Sequence, residues 1–389
     1  MTKFKATLGA VFALGIAAAV AASVASAQPA AKAVAGTASV KCGSTRYIGL
    51  LAPYTGPAAS IGTLQVNWVK YYVASYNKKH KKVKYKIVGG DTQLGAANGT
   101  AAALQAAQTL ASNSKVLGVV GPAGSNEVKG VTATLKGAGL GFISGSATNT
   151  TLTTDGTRTG YFFRTVPPDA AQSKSVSAFI TGKLHFNKVY IIDDQEAYST
   201  GLADEVEQQL KAAGVNVSRD GVSQQQSDFS SLIAKIPRDT QLVYIPWQLS
   251  PKAQAFAQQM QQAGKAGIKL MGSDGLFAPE FESVSGVYDS FFPVQPADPV
   301  IKAYAAAHGG NTDLFGAPSY VAAQVVIGAI DRACKKGTAT RATVRAQIAK
   351  TNIAKTILGL PVKFTSGGDI AQASFGIYQS KGGHFARIA

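Results

Sequence analysis

Val116-Leu117-Gly118-Val119-Val120-Gly121-Pro122-Ala123-Gly124-Ser125-Asn126-Glu127, read on to Leu140-Gly141-Phe142-Ile143, decides the fold class. Val116–Val120 is a short apolar run rich in β-branched residues, the composition of a strand covered on both faces. A Gly/Pro turn follows, and residues from Asn126 to Lys136 then repeat their apolar positions at helical spacing. Gly137-Ala138-Gly139 stands where a helix ends, because glycine takes the left-handed conformation that stops it. A second apolar run, Leu140–Ile143, comes next. Strand, helix and strand in that order form a parallel βαβ unit.

The same alternation extends in both directions. Apolar runs at Tyr47–Ala52, Tyr85–Gly89, Val189–Ile192, Leu242–Ile245 and Ile268–Met271 are predicted strands. Thr63–Lys79, Ala96–Ser112, Ala170–Leu184, Gly201–Ala213 and Pro251–Ala263 carry helical spacing between them. The series breaks twice, at Phe162-Phe163-Arg164-Thr165-Val166-Pro167-Pro168 and at Phe291-Phe292-Pro293. Two extended, proline-bearing segments around a block of βα units predict crossings from one lobe to a second and back. The fold class is therefore α/β, doubly wound, in two lobes, and a length of 389 residues exceeds what one core usually serves.

The chain opens with an address. Lys3 and Lys5 precede the apolar run Leu8–Ala22 and the small-residue site Ala25-Ser26-Ala27, so residues 1–27 read as a cleavable export signal. The run is shorter than the roughly 20 residues that span a bilayer. Gln28 rather than cysteine follows the cleavage site, which excludes a lipid anchor, and residues 28–43 read as a flexible leader rich in Ala and Gly.

The formal charge of +17 is concentrated in the lysines from Lys78 to Lys86 and in Arg332, Lys335, Lys336, Arg341 and Arg345. Neither cluster is interleaved with the aromatic platforms that single-stranded nucleic acid needs, so both read as solvated faces and nucleic acid is not an expected partner. His80, His185, His308 and His384 are isolated, and two distant cysteines are too few for a zinc site, so no metal or cofactor is expected. Gly141-Phe142-Ile143-Ser144-Gly145 misplaces the serine of a nucleophile elbow by one residue. Asp193 and Asp194 are adjacent at a strand end, where neighbouring side chains point apart, so they make a poor acid–base pair and no enzyme is expected.

What recurs is a small polar residue where a strand ends and a helix begins. Ligands of open α/β sheets bind there. Ser125 and the loop Ser146-Ala147-Thr148-Asn149 follow two strands of the first block; Asp193, Asp194 and Tyr198, then Trp247 and Gln248, then Asp274 follow strands of the second. Each admits a bland reading, since serine and aspartate also cap helices. The other reading is ligand binding: hydroxyls and helix N-termini for a carboxylate, and an acid for an ammonium.

The ordered set Ala52-Pro53-Tyr54-Thr55-Gly56-Pro57, Gly90-Asp91-Thr92, Gly121 through Ser125, Ile143 through Thr148, Asp193 through Ala203, Asp228-Phe229-Ser230 and Met271 through Gly275 resembles the leucine/isoleucine/valine-binding proteins of bacterial ABC transporters. The resemblance implies the type I periplasmic-binding fold: two parallel-sheet lobes joined by a three-segment hinge, with residues 44–165 and 294–358 in lobe 1 and residues 166–293 and 359–389 in lobe 2. It implies a monomeric extracytoplasmic binding protein that closes on an amino acid and delivers it to a membrane permease. Ser125, Ser146 and Thr148 match the first-lobe residues around the ligand head group, with the Ser146 carbonyl and Thr148 hydroxyl assisting the ammonium. Asp274 matches the second-lobe acid, one methylene shorter than the usual glutamate, Tyr198 matches a closing tyrosine, and Trp247 lies near another aromatic of the family. Ile61 replaces a tyrosine, and the family's first-lobe disulfide is missing, so the side-chain pocket differs. An aromatic acid, an amide or a urea is the alternative ligand.

The resemblance also puts the helical pattern Tyr320–Ala333 on the first lobe. Its carboxyl end then returns to the side where the first strand begins. Cys42 and Cys334 meet there, and export to an oxidising compartment predicts a disulfide between them.

Overall fold

The computed structural model describes residues 39–371 and 374–389. The export signal and most of the leader lie outside the described residues. The leader ends earlier than its composition implies: Val40–Lys41 is a strand that pairs antiparallel with Thr338–Ala339, and Cys42 N donates to Gly337 O. Backbone pairing of Val40 with Ala339, at the other end of the chain, is invisible to local composition.

Two sheets carry the chain. The first contains Lys84–Asp91, Thr45–Ala52, Val116–Val120, Phe142–Ser144 and Phe162–Arg164 in that spatial order, all parallel. The second runs Asn216–Gly221, Lys188–Asp193, Leu242–Tyr244, Lys269–Met271 and Tyr288–Phe291, also parallel, and then adds an antiparallel hairpin, Gly376–Lys381 and His384–Arg387. The second lobe is thus mixed rather than purely parallel. In each sheet the lobe's first strand lies between its second and third. Winding therefore reverses beside Thr45–Ala52 in one lobe and beside Lys188–Asp193 in the other, and the crevice at such a reversal is where open α/β sheets hold ligands.

Strands buried on both faces match the apolar runs closely, Val116–Val120 residue for residue. Edge strands escaped that criterion. Asn216–Gly221 has Val217 as its single aliphatic side chain and no fully buried residue, because it lies at one edge of the sheet, and His384–Arg387 is largely exposed at the other edge. Phe162–Arg164, expected to lead out of the lobe, is instead the last strand of the first sheet. Residues 362–370, expected in the second lobe, also lie on the first: Val362, Phe364 and Ile370 join its core, and Arg164 N donates to Gly368 O.

The helix Ala317–Ala333 is apolar nearly all round. It packs on the strand Val116–Val120 and is flanked by Ala59–Lys79 and Arg341–Ala349, so almost every face is covered. At its end Cys334 is bonded to Cys42. Asp331 in its last turn accepts from Arg46 Nη1 at 2.5 Å, Tyr76 Oη at 2.6 Å and Tyr85 Oη at 2.8 Å. These contacts lie at the amino ends of the strands, the side opposite the crevice.

Candidate functional site

The loop after Val120 shows how the crevice is shaped. Gly121 has φ +92°, and a Cβ there would lie 1.9 Å from Leu51 O, so only glycine lets the chain turn against the neighbouring strand. The turn delivers Ser125 as the first residue of the helix Ser125–Gly137. Ser125 Oγ accepts from Asn149 N at 3.2 Å. Ser146 Oγ is fully engaged, accepting from Gln65 Nε2 at 2.7 Å and donating to Ala123 O at 2.8 Å. Thr148 is wholly buried, with its hydroxyl beside the Asp169 carboxyl. Ser125, Ser146 and Thr148 thus share one polar rim, as expected from their places after adjacent strands.

Tyr198 and Asp274 come together on the opposite lobe. The Tyr198 phenol oxygen lies 2.7 Å from Asp274 Oδ1 and 2.7 Å from Ser273 Oγ; donating to the carboxylate, it accepts from the serine. Burial pushes the Asp274 carboxyl up to about 6, against hydrogen bonds from Tyr198 and Gln172 that favour its charged form.

Trp247 does not join them. Its indole Nε1 donates to Ile192 O at 2.7 Å, and its ring packs among Phe229 and Phe256 in the second-lobe core. A strand-end aromatic faces the crevice or the core according to the turn that carries it. The short Ile245-Pro246-Trp247 turn, with Trp247 N donating to Ile245 O, folds this one inward. Asp193 and Asp194 also part company: Asp193 Oδ2 lies 2.9 Å from Arg219 Nη2, whereas Asp194 Oδ2 accepts from Gln224 Nε2 at 2.8 Å.

The two lobes touch across the crevice. Asn149 Nδ2 donates to Ala197 O at 2.7 Å, Asn126 Nδ2 to Glu196 Oε2 at 2.9 Å, and Gln225 Nε2 to Gly95 O at 3.0 Å. Beside these contacts lies a cavity of about 360 Å³ whose lining includes Glu127, Asp194 and Glu196. Burial raises the carboxyls of Glu127 and Asp194 to about 7.

Sequence reading named Asn149 only as part of its polar loop and missed Gln172, Tyr244 and Asp169. Asp169 is wholly buried at the start of the helix Asp169–Gly182. Its one sequence signal was an acid directly after the proline pair of a crossing segment, a position that reads as an ordinary helix start.

A periplasmic binding protein family model matches residues 45–384. The chain is 28% identical over 352 residues to the Leu/Ile/Val-binding protein BraC3 of Rhizobium johnstonii, covering 86% of this chain and 92% of that one. It is 27% identical over 365 residues to the leucine-, isoleucine-, valine-, threonine- and alanine-binding protein of Pseudomonas aeruginosa, covering 90% and 94%. Among solved structures it resembles a leucine binding protein from Thermotoga maritima, with TM-score 0.79, 21% identity and coverage of 88% and 98%. A solute binding protein from R. palustris in complex with benzoate matches with TM-score 0.76, 20% identity and coverage of 89% and 96%. Its relatives are binding proteins and not enzymes, and its architecture is the type I periplasmic-binding fold. With a family match spanning both lobes, the chain belongs to the periplasmic binding proteins.

Proposed function

We propose that the mature protein is a monomeric, extracytoplasmic receptor that closes on a small α-amino acid of the branched-chain type and hands it to the permease of an ABC transporter. One observation carries this reading: Asp274 is buried at the carboxyl end of a second-lobe strand, bonded to Tyr198 and without a cationic partner among the described residues, while the carboxyl ends of first-lobe strands carry hydroxyls and a helix N-terminus. A zwitterion complements both sides. Its carboxylate takes the hydroxyl of Ser125 and the N–H groups at the start of the helix Ser125–Gly137, and its ammonium takes Asp274 and the Thr148 hydroxyl. Tyr198 orients the Asp274 carboxylate. Trp247 supports the second-lobe wall from the core. The ligand bridges both lobes and so stabilises the closed arrangement over any open one, which is a difference a permease can read.

The relatives from R. johnstonii and P. aeruginosa are both named for leucine, isoleucine and valine, the second also for threonine and alanine, which supports this ligand class. The neighbour that holds benzoate keeps an aromatic acid as the second reading. Titration calorimetry with the twenty amino acids, benzoate, acetamide and urea, followed by mass spectrometry of the bound compound, decides between them. Binding of an unaltered α-amino acid is expected. Binding confined to ligands without an amino group overturns the reading, and so does chemical turnover.

A further inference from the structure

We propose that the basic end of the first lobe, opposite the crevice, docks the protein on a bilayer of anionic phospholipid. The proposal rests on the extracytoplasmic reading above for the surface it meets, and not on which ligand the crevice takes.

Charge is divided unevenly between the lobes. Residues 44–165 and 294–370, on the first lobe, carry 22 Lys and Arg against 7 Asp and Glu, whereas residues 166–293 and 374–389, on the second, carry 12 against 14. No acid precedes Asp91 in the sequence. Folding gathers much of the excess at one end. The helix Ala59–Lys79 finishes in Lys78 and Lys79, and Lys81 and Lys82 follow in the turn that enters the strand Lys84–Asp91, whose first residue pairs with Thr45. The helix Ala317–Ala333 runs on into Lys335 and Lys336. Lys41 lies beside them, since it pairs with Thr338 and Cys42 N donates to Gly337 O at 2.9 Å. Lys115 stands one residue before the strand Val116–Val120, with its Nζ 5.8 Å from the centre of the Tyr47 ring. Four stretches far apart in sequence thus set eight exposed lysines around the amino ends of three neighbouring strands.

The excess is not neutralised within the protein. None of the eight forms an ion pair among the described residues. Asp331, the acid in the last turn of the helix Ala317–Ala333, is taken up by Arg46, Tyr76 and Tyr85. Like charges held together repel, and a negative surface relieves that repulsion. All eight are lysines, and ammonium groups on long stems follow a diffuse layer of charge, whereas the planar fork of arginine suits one phosphate or carboxylate held in fixed geometry. The headgroup layer of an anionic bilayer is such a diffuse layer, and each lysine near it strengthens binding about fivefold. Docked by this end, the protein keeps the crevice at the carboxyl ends of the strands clear of the lipid. The second lobe, close to neutral, adds no competing attraction.

The test is cosedimentation of the full exported protein with vesicles of phosphatidylcholine, alone or with about one third phosphatidylglycerol, in low salt and in about 0.5 M NaCl, where charges are screened beyond about 4 Å. Binding is expected to the anionic vesicles alone and to be lost in high salt. Lys79→Glu with Lys82→Glu, and separately Lys335→Glu with Lys336→Glu, are each expected to weaken it at least about tenfold. Lys174→Glu with Lys183→Glu changes two exposed lysines of the second lobe and shifts net charge equally, and its binding is expected to stay within twofold of wild type. All three variants should melt and bind ligand as wild type does. Equal binding to neutral vesicles, failure to bind anionic ones in low salt, an unchanged affinity in either first-lobe pair or an equal loss in the second-lobe pair overturns the proposal. Capture by lipopolysaccharide or DNA without capture by phosphatidylglycerol overturns it too. None of these outcomes bears on the ligand reading, which the calorimetry decides.

Discussion

Asn149 of the first lobe and Gly201 of the second approach so closely that a Cβ on Gly201 would lie 2.2 Å from Asn149 Nδ2, the atom that donates to Ala197 O at 2.7 Å. This glycine is needed for contact between lobes, not for its own backbone. Helices Ser125–Gly137 and Ala197–Ala212 meet here. Gly201→Val should therefore wedge the lobes apart without disturbing either core. We expect ligand affinity to fall at least tenfold, about 1.4 kcal/mol, with the melting temperature of the ligand-free protein nearly unchanged. Calorimetry and small-angle scattering check it: retained affinity, or unchanged dimensions of the ligand-free variant, would count against a closure role.

Asp274→Ala removes the second-lobe acid and leaves any bound ammonium short of its nearest charge. Truncating one member of a buried charge pair costs at least about 2 kcal/mol. The expected loss is thirtyfold or more in amino-acid affinity, and an unchanged dissociation constant would remove Asp274 from the site.

Trp247→Phe gives the opposite expectation. The indole N–H spends itself on Ile192 O, and the ring sits against Phe229 and Phe256, so the substitution strands a buried carbonyl and leaves a gap. Stability should drop by about 1–3 kcal/mol while ligand selectivity holds. Altered selectivity at unchanged stability would return Trp247 to the ligand surface.

The Cys42–Cys334 bond closes a separation of 292 residues and ties the strand Val40–Lys41 to the end of the helix Ala317–Ala333, far from the crevice. Reduction should lower stability by about 2–4 kcal/mol, chiefly by freeing the unfolded chain, and leave ligand affinity within twofold. Thiol counting before and after reduction, paired with thermal melts, measures both.

Stability should also depend on pH in an identifiable sense. Asp274 at about 6, and Glu127 and Asp194 at about 7, titrate above the ordinary carboxylate value because burial opposes their charge. A carboxyl raised in the folded state contributes stability that is complete below its unfolded pKa of about 4 and is lost as pH climbs through the folded value. The ligand-free protein should therefore melt at a higher temperature at pH 5 than at pH 8, each group costing up to about 1.4 kcal/mol per pH unit between its two pKa values. Asp91, Asp155 and Glu207 are lowered by hydrogen bonds and neighbouring cations and act in the opposite sense, only as pH falls below about 4. Glu127→Gln should flatten the slope between pH 5 and 8, and a flat wild-type profile would contradict the burial argument.

The sequence by itself determined the parts whose burial is local. Val116–Val120 is apolar at every position because helices cover both faces of its sheet, and that pattern survives in any context. Ser125 and Asp274 were legible for a related reason: a polar residue where an apolar strand meets a helix lies at the carboxyl edge of a parallel sheet, whatever the rest of the chain does. Only the tertiary structure decided what depends on segments far apart in sequence. Asn216–Gly221 lacks an apolar run because an edge strand has one wet side, and Val362–Ile370 belongs to the first lobe because Arg164 and Phe163 receive it there. Trp247 turns to the core through the shape of its own turn. Asp169 reads as an ordinary helix start until folding buries it wholly and ties its backbone N to Thr148 O at 2.8 Å. Burial periodicity is a property of one segment; the electrostatics of a site belong to the several segments that meet there.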